Sequence, residues 1–263
     1  MIYINDLKVE VEKFPCGELK VQIDKNYLDR FEGRRYAKDD RKYIYIKAII
    51  KNSDDIMTLL LVHSALNSIG LEWIRLFIPY FPYARQDRIC NYGEPLSVLV
   101  MCNLLKTMHF EKIYIYDPHS DVLPALLDGI CEVSTFRKLI FQEFDWLLEG
   151  KTIICPDAGA EKRTRSLGLP YIMATKNRDT KTGEITGTTV YCDSLEGQDC
   201  LIVDDLCDGG RTFIELAKVL REKGAKTVSL YVTHGMFTKG KEIFNGILDG
   251  VHCYFDYTKE NMQ

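Results

Sequence analysis

The feature of this sequence that most constrains its fold is a repeated alternation of short apolar runs with longer amphipathic segments. Short apolar runs predict buried strands, and apolar residues at intervals of three or four predict helices packed against them. Strands separated by helices are typical of a parallel sheet, so we expect an α/β fold with helices on both faces. The predicted strands cover residues 43–50, 73–78, 113–116, 152–155, 200–203 and 227–232, and the predicted helices cover residues 54–69, 94–108 and 212–223.

The alternation continues through both halves of the chain, whose 263 residues are enough for two ordinary domains. The most polar stretch between the halves covers residues 134–149, and we place the domain boundary there, which gives domains of residues 1–136 and 137–263. A second polar stretch, residues 176–189, is rich in Gly and Thr and lacks apolar periodicity. Such a segment is typical of a mobile loop or a hairpin over a site.

Composition and charge argue against several classes of function. The formal net charge of -4 gives no whole-surface attraction to nucleic acid or to an anionic membrane, so any phosphate binding must be local. The N-terminus lacks the pattern of a signal peptide, and no apolar run approaches the ~18 residues of a membrane helix. The nine cysteines are scattered, odd in number and without a C-x-x-C pair, which is typical of a reducing compartment. We therefore expect a cytoplasmic protein that binds neither nucleic acid nor membrane.

The strongest single signal is the segment 201–212, a buried strand followed by two acids and a glycine turn that opens a helix. Ligands of open α/β sheets bind at this end of a strand. Gly209 and Gly210 let the backbone approach a phosphate, and the helix N-terminus offers unpaired N–H groups. The carboxylates of Asp204 and Asp205 suit ribose hydroxyls. An Asp-Gly pair alone is most often an ordinary turn, so only the order of the whole segment favours a sugar-phosphate site.

A second segment, residues 77–88, combines prolines and aromatic residues just after a predicted strand. This composition indicates a stiff turn that projects the side chains of Arg85, Gln86, Asp87 and Arg88. The arginines can bind phosphate oxygens, and the amide and carboxylate between them can bind a purine edge or a ribose. Two arginines with an acid between them are also common as a solvated ion-pair cluster.

Four further polar residues are candidates: His119 and Asp157 follow predicted strands, and Lys176 and Arg178 lie at the start of the polar stretch 176–189. A lone histidine is usually structural, and a Lys-x-Arg pair is usually a solvated surface pair. A carboxylate such as Asp157 is the hard oxygen ligand that Mg2+ prefers. A lysine and an arginine on a closing loop can neutralise the charge that develops on a transferring phosphoryl group.

Taken in order, these segments resemble the ribose-phosphate diphosphokinases, the PRPP synthetases, from about residue 14 to residue 240. Segment 201–212 resembles the PRPP-binding loop that this family shares with phosphoribosyltransferases. Residues 77–97 resemble the PYFPYARQDR...EPIS segment of the synthetases alone. The remaining matches are to the D-L-H-A segment, the S-P-D-x-G-G-x-x-R segment, the catalytic loop and the F-x-[DN]-G-E turn, at residues 117–120, 152–163, 173–178 and 13–18.

The resemblance implies two tandem type I phosphoribosyltransferase-like domains, each a mainly parallel sheet flanked by helices. It implies an enzyme of nucleotide biosynthesis that transfers the diphosphoryl group of ATP to ribose 5-phosphate, with Mg2+ as cofactor and PRPP and AMP as products. It also implies a homo-oligomer, a dimer or larger, whose ATP site lies near a subunit interface.

The same resemblance assigns roles to individual residues. ATP binding is assigned to Phe14, Glu18, Arg85, Gln86, Asp87 and His119, and metal binding to His119 and Asp157. Ribose 5-phosphate binding is assigned to Asp204, Asp205, Asp208, Gly209, Gly210, Arg211 and Thr212, and catalysis to Lys176, Arg178 and Asp204.

Four positions depart from the family pattern, namely Cys16, Ala160, Gly209 and Arg211. In the loop, glycine replaces threonine at position 209 and arginine replaces glycine at position 211, so one hydroxyl contact is lost and one cation is gained. Two other functions stay open at this point. The chain could be a phosphoribosyltransferase that consumes PRPP, or a catalytically silent synthetase paralogue that regulates an active partner.

Overall fold

A computed structural model describes residues 1–24, 27, 43–178 and 185–259. The chain divides into two compact units, Met1–Ser134 and Thr135–Gln263. The division falls just before the helix that starts at Phe136, whereas the boundary that we expected from the sequence, between residues 136 and 137, falls within this helix.

The polar stretch 134–149 is mostly helical, which corrects our interpretation of it as a connection between domains. It contains a helix, Phe136–Glu143, and a short 3₁₀ helix, Asp145–Leu147. Thr135 caps the first helix, because its side chain accepts a hydrogen bond from the Lys138 N–H. Phe136, Ile140 and Leu147 are buried in a core of the second unit. Leu139 is buried as well, and the remaining side chains of the stretch are mostly polar, which is typical of a helix with one buried face.

The first unit contains a six-stranded sheet with the order β2-β1-β5-β6-β7-β8, in which β5 to β8 are parallel. Two further strands, β3 and β4, form a separate antiparallel hairpin. The strands are β1 Ile2–Ile4, β2 Leu7–Lys8, β3 Val11–Lys13, β4 Leu19–Val21, β5 Ile44–Ala48, β6 Ile74–Phe77, β7 Lys112–Tyr116 and β8 Cys131–Ser134. The helices described in this unit are α1 Ser53–Ser68, α2 Ser97–Lys106 and α3 Val122–Leu127.

One face of the first sheet carries the core of this unit. Side chains alternate along a strand, so Ile44, Ile46 and Ala48 all point to that face and are buried. All three described helices contribute to the same core. We expected helices on both faces, but those described in this unit pack on one. On the other face aromatic rings stack from strand to strand, with Phe77 and Tyr114 at a centroid distance of 4.5 Å.

The second unit contains a six-stranded sheet with the order β11-β10-β9-β12-β13-β14, in which only β11 is antiparallel. Its strands are β9 Thr152–Cys155, β10 Tyr171–Arg178, β11 Ile185–Val190, β12 Asp199–Cys207, β13 Thr227–Gly235 and β14 Gly250–Asp256. Its helices are α4 Phe136–Glu143, α5 Glu161–Ser166 and α6 Arg211–Glu222.

Both faces of the second sheet are covered, as we expected. Along β12, Cys200 and Ile202 pack into the core that includes α6, whereas Leu201 and Val203 pack into the core that includes α4. A strand buried on both faces has a continuous apolar sequence, which explains why the run 200–203 was recognisable. The strand continues beyond that run to Cys207, so Asp204 and Asp205 belong to β12 and do not follow it.

The polar stretch 176–189 forms part of a hairpin, the second of the two structures that we allowed for it. Strand β10 continues through Arg178 and pairs with β11 in antiparallel register, with an irregularity between Asn177 and Arg178. Residues 179–184 lie outside the described part of the chain. The prediction of a loop is therefore wrong for Lys176 and Arg178, which are strand residues.

Predicted helix and strand positions agree with the structure apart from their ends. The helix expected over residues 94–108 begins only at Ser97. Glu94 folds back, and its Oε2 accepts hydrogen bonds of 2.9 Å from the N–H groups of Cys90 and Asn91. None of the described helices is long and apolar enough to cross a membrane.

Candidate active site

Two adjacent carboxylates near the end of β12 share one guanidinium group in the second unit. Arg163 Nη1 lies 3.4 Å from Asp204 Oδ1, and Arg163 Nη2 lies 3.5 Å from Asp205 Oδ2. The three side chains are 8%, 14% and 9% exposed, respectively. The Asp205 N–H also donates to Asp204 Oδ1 at 2.9 Å. Because two carboxyl groups share a single guanidinium group, they keep oxygens that can accept hydrogen bonds from the hydroxyl groups of a ligand.

Burial and the neighbouring carboxylate make Asp204 hard to ionise. Burial raises the pKa of Asp204 well above its ordinary value, the charge of Asp205 raises it further, and Arg163 only partly opposes them. A carboxyl group with a raised pKa inside a group of charges is typical of a functional site.

Asp157 lies just beyond β9 and is held from two sides. Its Oδ1 accepts a hydrogen bond of 3.1 Å from the Ala160 N–H, and its Oδ2 contacts Lys176 Nζ at 2.5 Å. Burial opposes ionisation of this carboxyl group, but the Lys176 ammonium outweighs burial and holds the pKa of Asp157 below its usual range. Lys176 reaches Asp157 because β10 lies beside β9 in the sheet. The ionised Asp157 carboxylate and the Lys176 ammonium group therefore form an ion pair.

The turn between β12 and α6 contains the glycines of the predicted phosphate loop. Gly210 has a φ of 73° and precedes the first residue of α6. A Cβ at this position would lie 2.6 Å from Phe244 Cζ and 2.9 Å from Ile243 Cδ1. The turn thus needs glycine for both its backbone conformation and its packing. Asp208, at the start of the turn, accepts a hydrogen bond of 2.8 Å from Thr238 Oγ1.

In the first unit, the turn after β6 is anchored by buried residues and exposes polar ones. Phe81 and Ala84 are buried, whereas Arg85 and Gln86 are exposed. Gln86 is held because its Oε1 accepts a hydrogen bond of 2.5 Å from Ser97 Oγ at the start of α2. The stiff turn that we predicted therefore presents its polar side chains from a fixed backbone.

Asp87 is the buried member of this turn. Its side chain is 3% exposed, and its Oδ1 accepts a hydrogen bond of 3.0 Å from Arg88 Nε. Its Oδ2 is buried and has no hydrogen-bond partner among the described residues. Burial opposes ionisation, but Arg88, together with Ser120 and His119, holds the pKa of Asp87 below its usual value. The structure thus brings Asp87 near His119, which follows β7.

Phe14 and Glu18 belong to the tight turn of the β3–β4 hairpin. The Phe14 N–H donates to the Glu18 carbonyl at 2.8 Å, and the Phe14 side chain is 46% exposed. The hairpin is tied to the start of α1 by Lys13, whose Nζ lies 2.8 Å from Asp54 Oδ2. Phe14 and Glu18 therefore belong to the hairpin turn, a different element from the turn after β6 that carries Asp87.

The candidate residues are divided between the two units. The first unit contains the predicted ATP residues, and the second contains the predicted ribose 5-phosphate and catalytic residues. The two candidate metal ligands, His119 and Asp157, belong to different units. The Arg178 side chain lies outside the described part of the structure. Within the described ranges, no three His, Cys, Asp or Glu side chains form a group that could hold a metal ion by themselves.

Arg163 is a site residue to which we assigned no role from the sequence. A signal was present, because Arg163 corresponds to the arginine that ends the S-P-D-x-G-G-x-x-R segment. Its contacts with Asp204 are made across 41 positions of sequence, and no local pattern predicts them.

Comparison with known proteins identifies the family. A family model for the N-terminal domain of ribose phosphate pyrophosphokinase matches residues 2–108, and one for the phosphoribosyl transferase domain matches residues 137–252. The ribose-phosphate pyrophosphokinase of Thermococcus kodakarensis is 32% identical over 238 residues, which cover 89% of this chain and 80% of that protein. This chain belongs to the ribose-phosphate pyrophosphokinase family.

Further relatives of this family agree. The ribose-phosphate pyrophosphokinase of Pyrococcus furiosus is 33% identical over 88% of this chain and 79% of that protein. The crystal structure of phosphoribosylpyrophosphate synthetase from Mycobacterium smegmatis matches with a TM-score of 0.68 and 28% identity, over 87% of this chain and 73% of that one. The predicted family, the fold of two phosphoribosyltransferase-like domains and the enzyme class are confirmed. The match over residues 2–108 is to a domain described as that of ribose phosphate pyrophosphokinase, which favours the synthetase over a phosphoribosyltransferase that consumes PRPP.

Proposed function

We propose that this chain transfers the β,γ-diphosphoryl group of Mg-ATP to the C1 hydroxyl of ribose 5-phosphate, forming PRPP and AMP. The observation that carries the proposal is the Asp204–Asp205 pair, held by Arg163 directly before the glycine turn that opens α6. Paired carboxylates suit ribose hydroxyls, and a glycine turn at a helix N-terminus suits a phosphate.

Ribose 5-phosphate lies on β12 and on the turn that follows it. Asp204 and Asp205 accept hydrogen bonds from the ribose hydroxyls, and Arg163 keeps the two carboxylates in place. The turn, made of Asp208, Gly209, Gly210, Arg211 and Thr212, surrounds the 5-phosphate with N–H groups. The positive end of the α6 dipole and the Arg211 guanidinium favour the phosphate charge.

ATP is bound by the first unit. Arg85 contacts phosphate oxygens, and Gln86 and Asp87 contact the purine or its ribose. Asp87 Oδ2 is buried without a partner among the described residues, so a hydrogen-bond donor of the nucleotide would reach it only if the turn shifts. Phe14 and Glu18 complete the adenine pocket of a neighbouring subunit, so the active form is a homo-oligomer.

The donor atoms of Asp157 and His119 fit Mg2+. Mg2+ commonly takes one or two protein ligands and completes its shell with substrate phosphates and water. The Asp157 side chain is 30% exposed, and its ionised form is favoured by Lys176. The other ligand that we propose is His119. When it is bound, Mg2+ neutralises charge on the ATP phosphates and orients them.

The chemistry is an in-line displacement at the β-phosphorus of ATP. The oxygen of the C1 hydroxyl of ribose 5-phosphate attacks and the hydroxyl proton is released to solvent, while the bond from the β-phosphorus to the bridging oxygen breaks and AMP leaves with that oxygen. Asp204 orients the attacking hydroxyl. Lys176 and Arg178 neutralise the charge that grows on the transferring group and on the leaving oxygen, which is where such reactions gain most of their rate.

The proposal is tested by measuring AMP and PRPP made from ATP and ribose 5-phosphate by the purified chain, with and without Mg2+. We expect both products in equal amounts and only with the metal. Lys176→Met keeps the length of the side chain but removes its charge, and should lower kcat by ~100-fold or more. Unchanged turnover of this variant would contradict the role of Lys176.

No product from a wild-type chain that still binds both substrates would instead favour the silent paralogue. The altered positions Cys16, Ala160, Gly209 and Arg211 would then be the first to restore to the family's residues. Formation of a nucleotide from PRPP and a free base, without ATP, would favour a phosphoribosyltransferase.

A further inference from the structure

The segment after β13, Met236 to Lys241, packs against the turn that holds the proposed phosphate site. The Cys207 carbonyl accepts hydrogen bonds from the N–H groups of Met236 at 2.8 Å and Phe237 at 3.1 Å. The next residue, Thr238, donates its N–H to the Asp208 carbonyl at 3.2 Å and its hydroxyl to Asp208 Oδ1 at 2.8 Å. Four hydrogen bonds therefore fix this segment beside the last residue of β12 and the first residue of the turn.

This attachment places Lys239 at Gly209. A Cβ built on Gly209 would lie 3.8 Å from Lys239 Cε, so the end of the lysine side chain lies near the turn, on the side where a residue at position 209 would carry its Cβ. Lys239 is exposed. Gly209 has no side chain between its backbone and the lysine, whereas a threonine at this position would extend toward Lys239.

Lys239 is not neutralised by an acid in the described part of the chain, and the same holds for Arg211 at the start of α6. The lysine two positions later is different, because Lys241 Nζ lies 2.7 Å from Asp256 Oδ2. Two cations without a carboxylate partner thus flank a turn with free N–H groups. Such an arrangement favours an anion with several oxygens.

We propose that Lys239 is a further substrate-binding residue, whose ammonium group binds the 5-phosphate of ribose 5-phosphate on the Asp208–Thr212 turn. This inference rests on the proposed function and extends it to a residue outside the loop. Lys239 and Arg211 together replace the threonine hydroxyl that Gly209 lacks. The site thereby has contacts from two cations where the family has a neutral hydrogen bond from threonine. Phosphate binding is therefore weakened more strongly by added salt.

The test compares Lys239→Met, which keeps the aliphatic chain and removes the charge, with Lys239→Arg, which keeps the charge. Lys226→Met is the matched control, because Lys226 is an exposed lysine next to the opposite end of β13. We expect Lys239→Met to raise KM for ribose 5-phosphate by about tenfold, the loss of one charge-assisted hydrogen bond. KM for ATP and the urea midpoint should stay unchanged. Lys239→Arg should stay near wild type, and Lys226→Met should change none of these values.

A second variant tests whether a threonine hydroxyl at position 209 can replace the ammonium group of Lys239. Gly209 has no positive φ, so its backbone accepts a threonine. Gly209→Thr in the Lys239→Met background should recover part of the lost affinity for ribose 5-phosphate, because it supplies a hydroxyl where the lysine chain had lain.

An unchanged KM for ribose 5-phosphate in Lys239→Met, with an active wild-type chain, overturns the inference. A wild-type chain that makes no PRPP overturns the proposed function instead. In that case calorimetric titration of ribose 5-phosphate decides the role of Lys239. Equal affinities of wild type and Lys239→Met overturn it, and weaker binding by the variant supports it.

Discussion

Arg163 holds the two carboxylates that we place under the ribose. A guanidinium group presents its N–H donors in a planar fork, so it can contact two carboxylates at once, which an ammonium group does less well. All three side chains are largely removed from water. The geometry and the stability of this cluster should therefore depend on the same arginine.

Substitution of Arg163 tests this dependence. Arg163→Met leaves two adjacent buried carboxylates without a cation and should lower the free energy of unfolding by about 3 kcal/mol. Arg163→Lys keeps the charge but not the fork, so it should be more stable than Arg163→Met and still show a raised KM for ribose 5-phosphate. Urea denaturation and steady-state kinetics measure both effects. A wild-type KM in Arg163→Lys would show that the arginine supplies charge alone and does not position the carboxylates.

Asp204 should make the stability of the chain fall as the pH rises. Because its pKa is raised in the folded chain, the folded state holds a proton that the unfolded state has already released. Stability is therefore lost as the pH rises from the ordinary Asp range, about 4, through the folded pKa. Asp204→Asn removes this loss and keeps an oxygen that accepts from the Asp205 N–H. The variant should be inactive, and more stable than wild type at pH 7.

The control for Asp204→Asn lies on the same strand. Asp199 accepts a hydrogen bond of 2.5 Å from Thr227 Oγ1, which holds the pKa of its carboxyl group below its ordinary value. The ionised Asp199 carboxylate therefore stabilises the folded chain, whereas ionisation of Asp204 destabilises it. Asp199→Asn should accordingly not gain stability at neutral pH. Thermal melts of both variants across pH 4 to 8, a range of about four units, decide between them. A loss of stability in Asp204→Asn at pH 7 would contradict the raised pKa.

At the scale of elements, the site depends on how β12 turns into α6. The turn combines a left-handed Gly210, a carboxylate tied to the neighbouring segment and a helix with no side-chain cap at its first turn. Its shape is therefore set by glycine and by tertiary contacts. The same features leave the N–H groups of the helix start available to a ligand.

Gly210→Ala should be more harmful than an alanine at a comparable exposed glycine. Gly197 has a φ of 71° and nothing within 4 Å of a built Cβ, so Gly197→Ala meets backbone strain alone, about 1 kcal/mol. Gly210→Ala meets the same strain and a contact with the Phe244 ring at 2.6 Å, which should bring the total cost to about 2–3 kcal/mol. Urea denaturation compares the two, and KM for ribose 5-phosphate should rise only in Gly210→Ala. Equal losses of stability in Gly197→Ala and Gly210→Ala would show that the Phe244 ring moves aside without cost.

At the scale of the whole molecule, the two units are built independently around their own cores. One hydrophobic core belongs to residues before Ser134, and two belong to residues after it. The proposed ATP residues and the proposed ribose 5-phosphate residues are divided in the same way. The proposed reaction therefore needs both units, and its ATP pocket also needs the hairpin turn of another subunit.

Mixing two inactive variants tests whether the site is shared between subunits. Phe14→Ala removes the ring that we assign to the neighbour's pocket, and His119→Ala removes a ligand of the chain's own site. In a mixed oligomer, one site combines an intact His119 with an intact Phe14, so activity should return. Co-expression of the two variants followed by the AMP assay measures this. If Phe14 acts within its own chain, the mixture stays inactive.

The sequence by itself determined the alternation of the main strands and helices and the family, and it predicted where the site lies. The strands were recognisable because β9 and β12 are buried on both faces and so have continuous apolar runs. The loop of segment 201–212 was recognisable because a phosphate site of this kind needs glycine and acid at fixed, adjacent positions. Both patterns are formed by residues that are close together in the sequence, so they can be recognised without the tertiary structure.

The tertiary structure decided which distant side chains meet. Arg163 reaches Asp204 across 41 positions, Thr238 reaches Asp208 across 30, and Lys176 reaches Asp157 across 19. Each contact depends on which strands are neighbours in the sheet and on their register, and neither is encoded by spacing along the chain. The helix within residues 134–149 was missed for a related reason: its amphipathic face became evident only against the core that it covers. Spacing therefore predicted the loop, whereas the packing of β9, β10, β12 and β13 determined the charges around it.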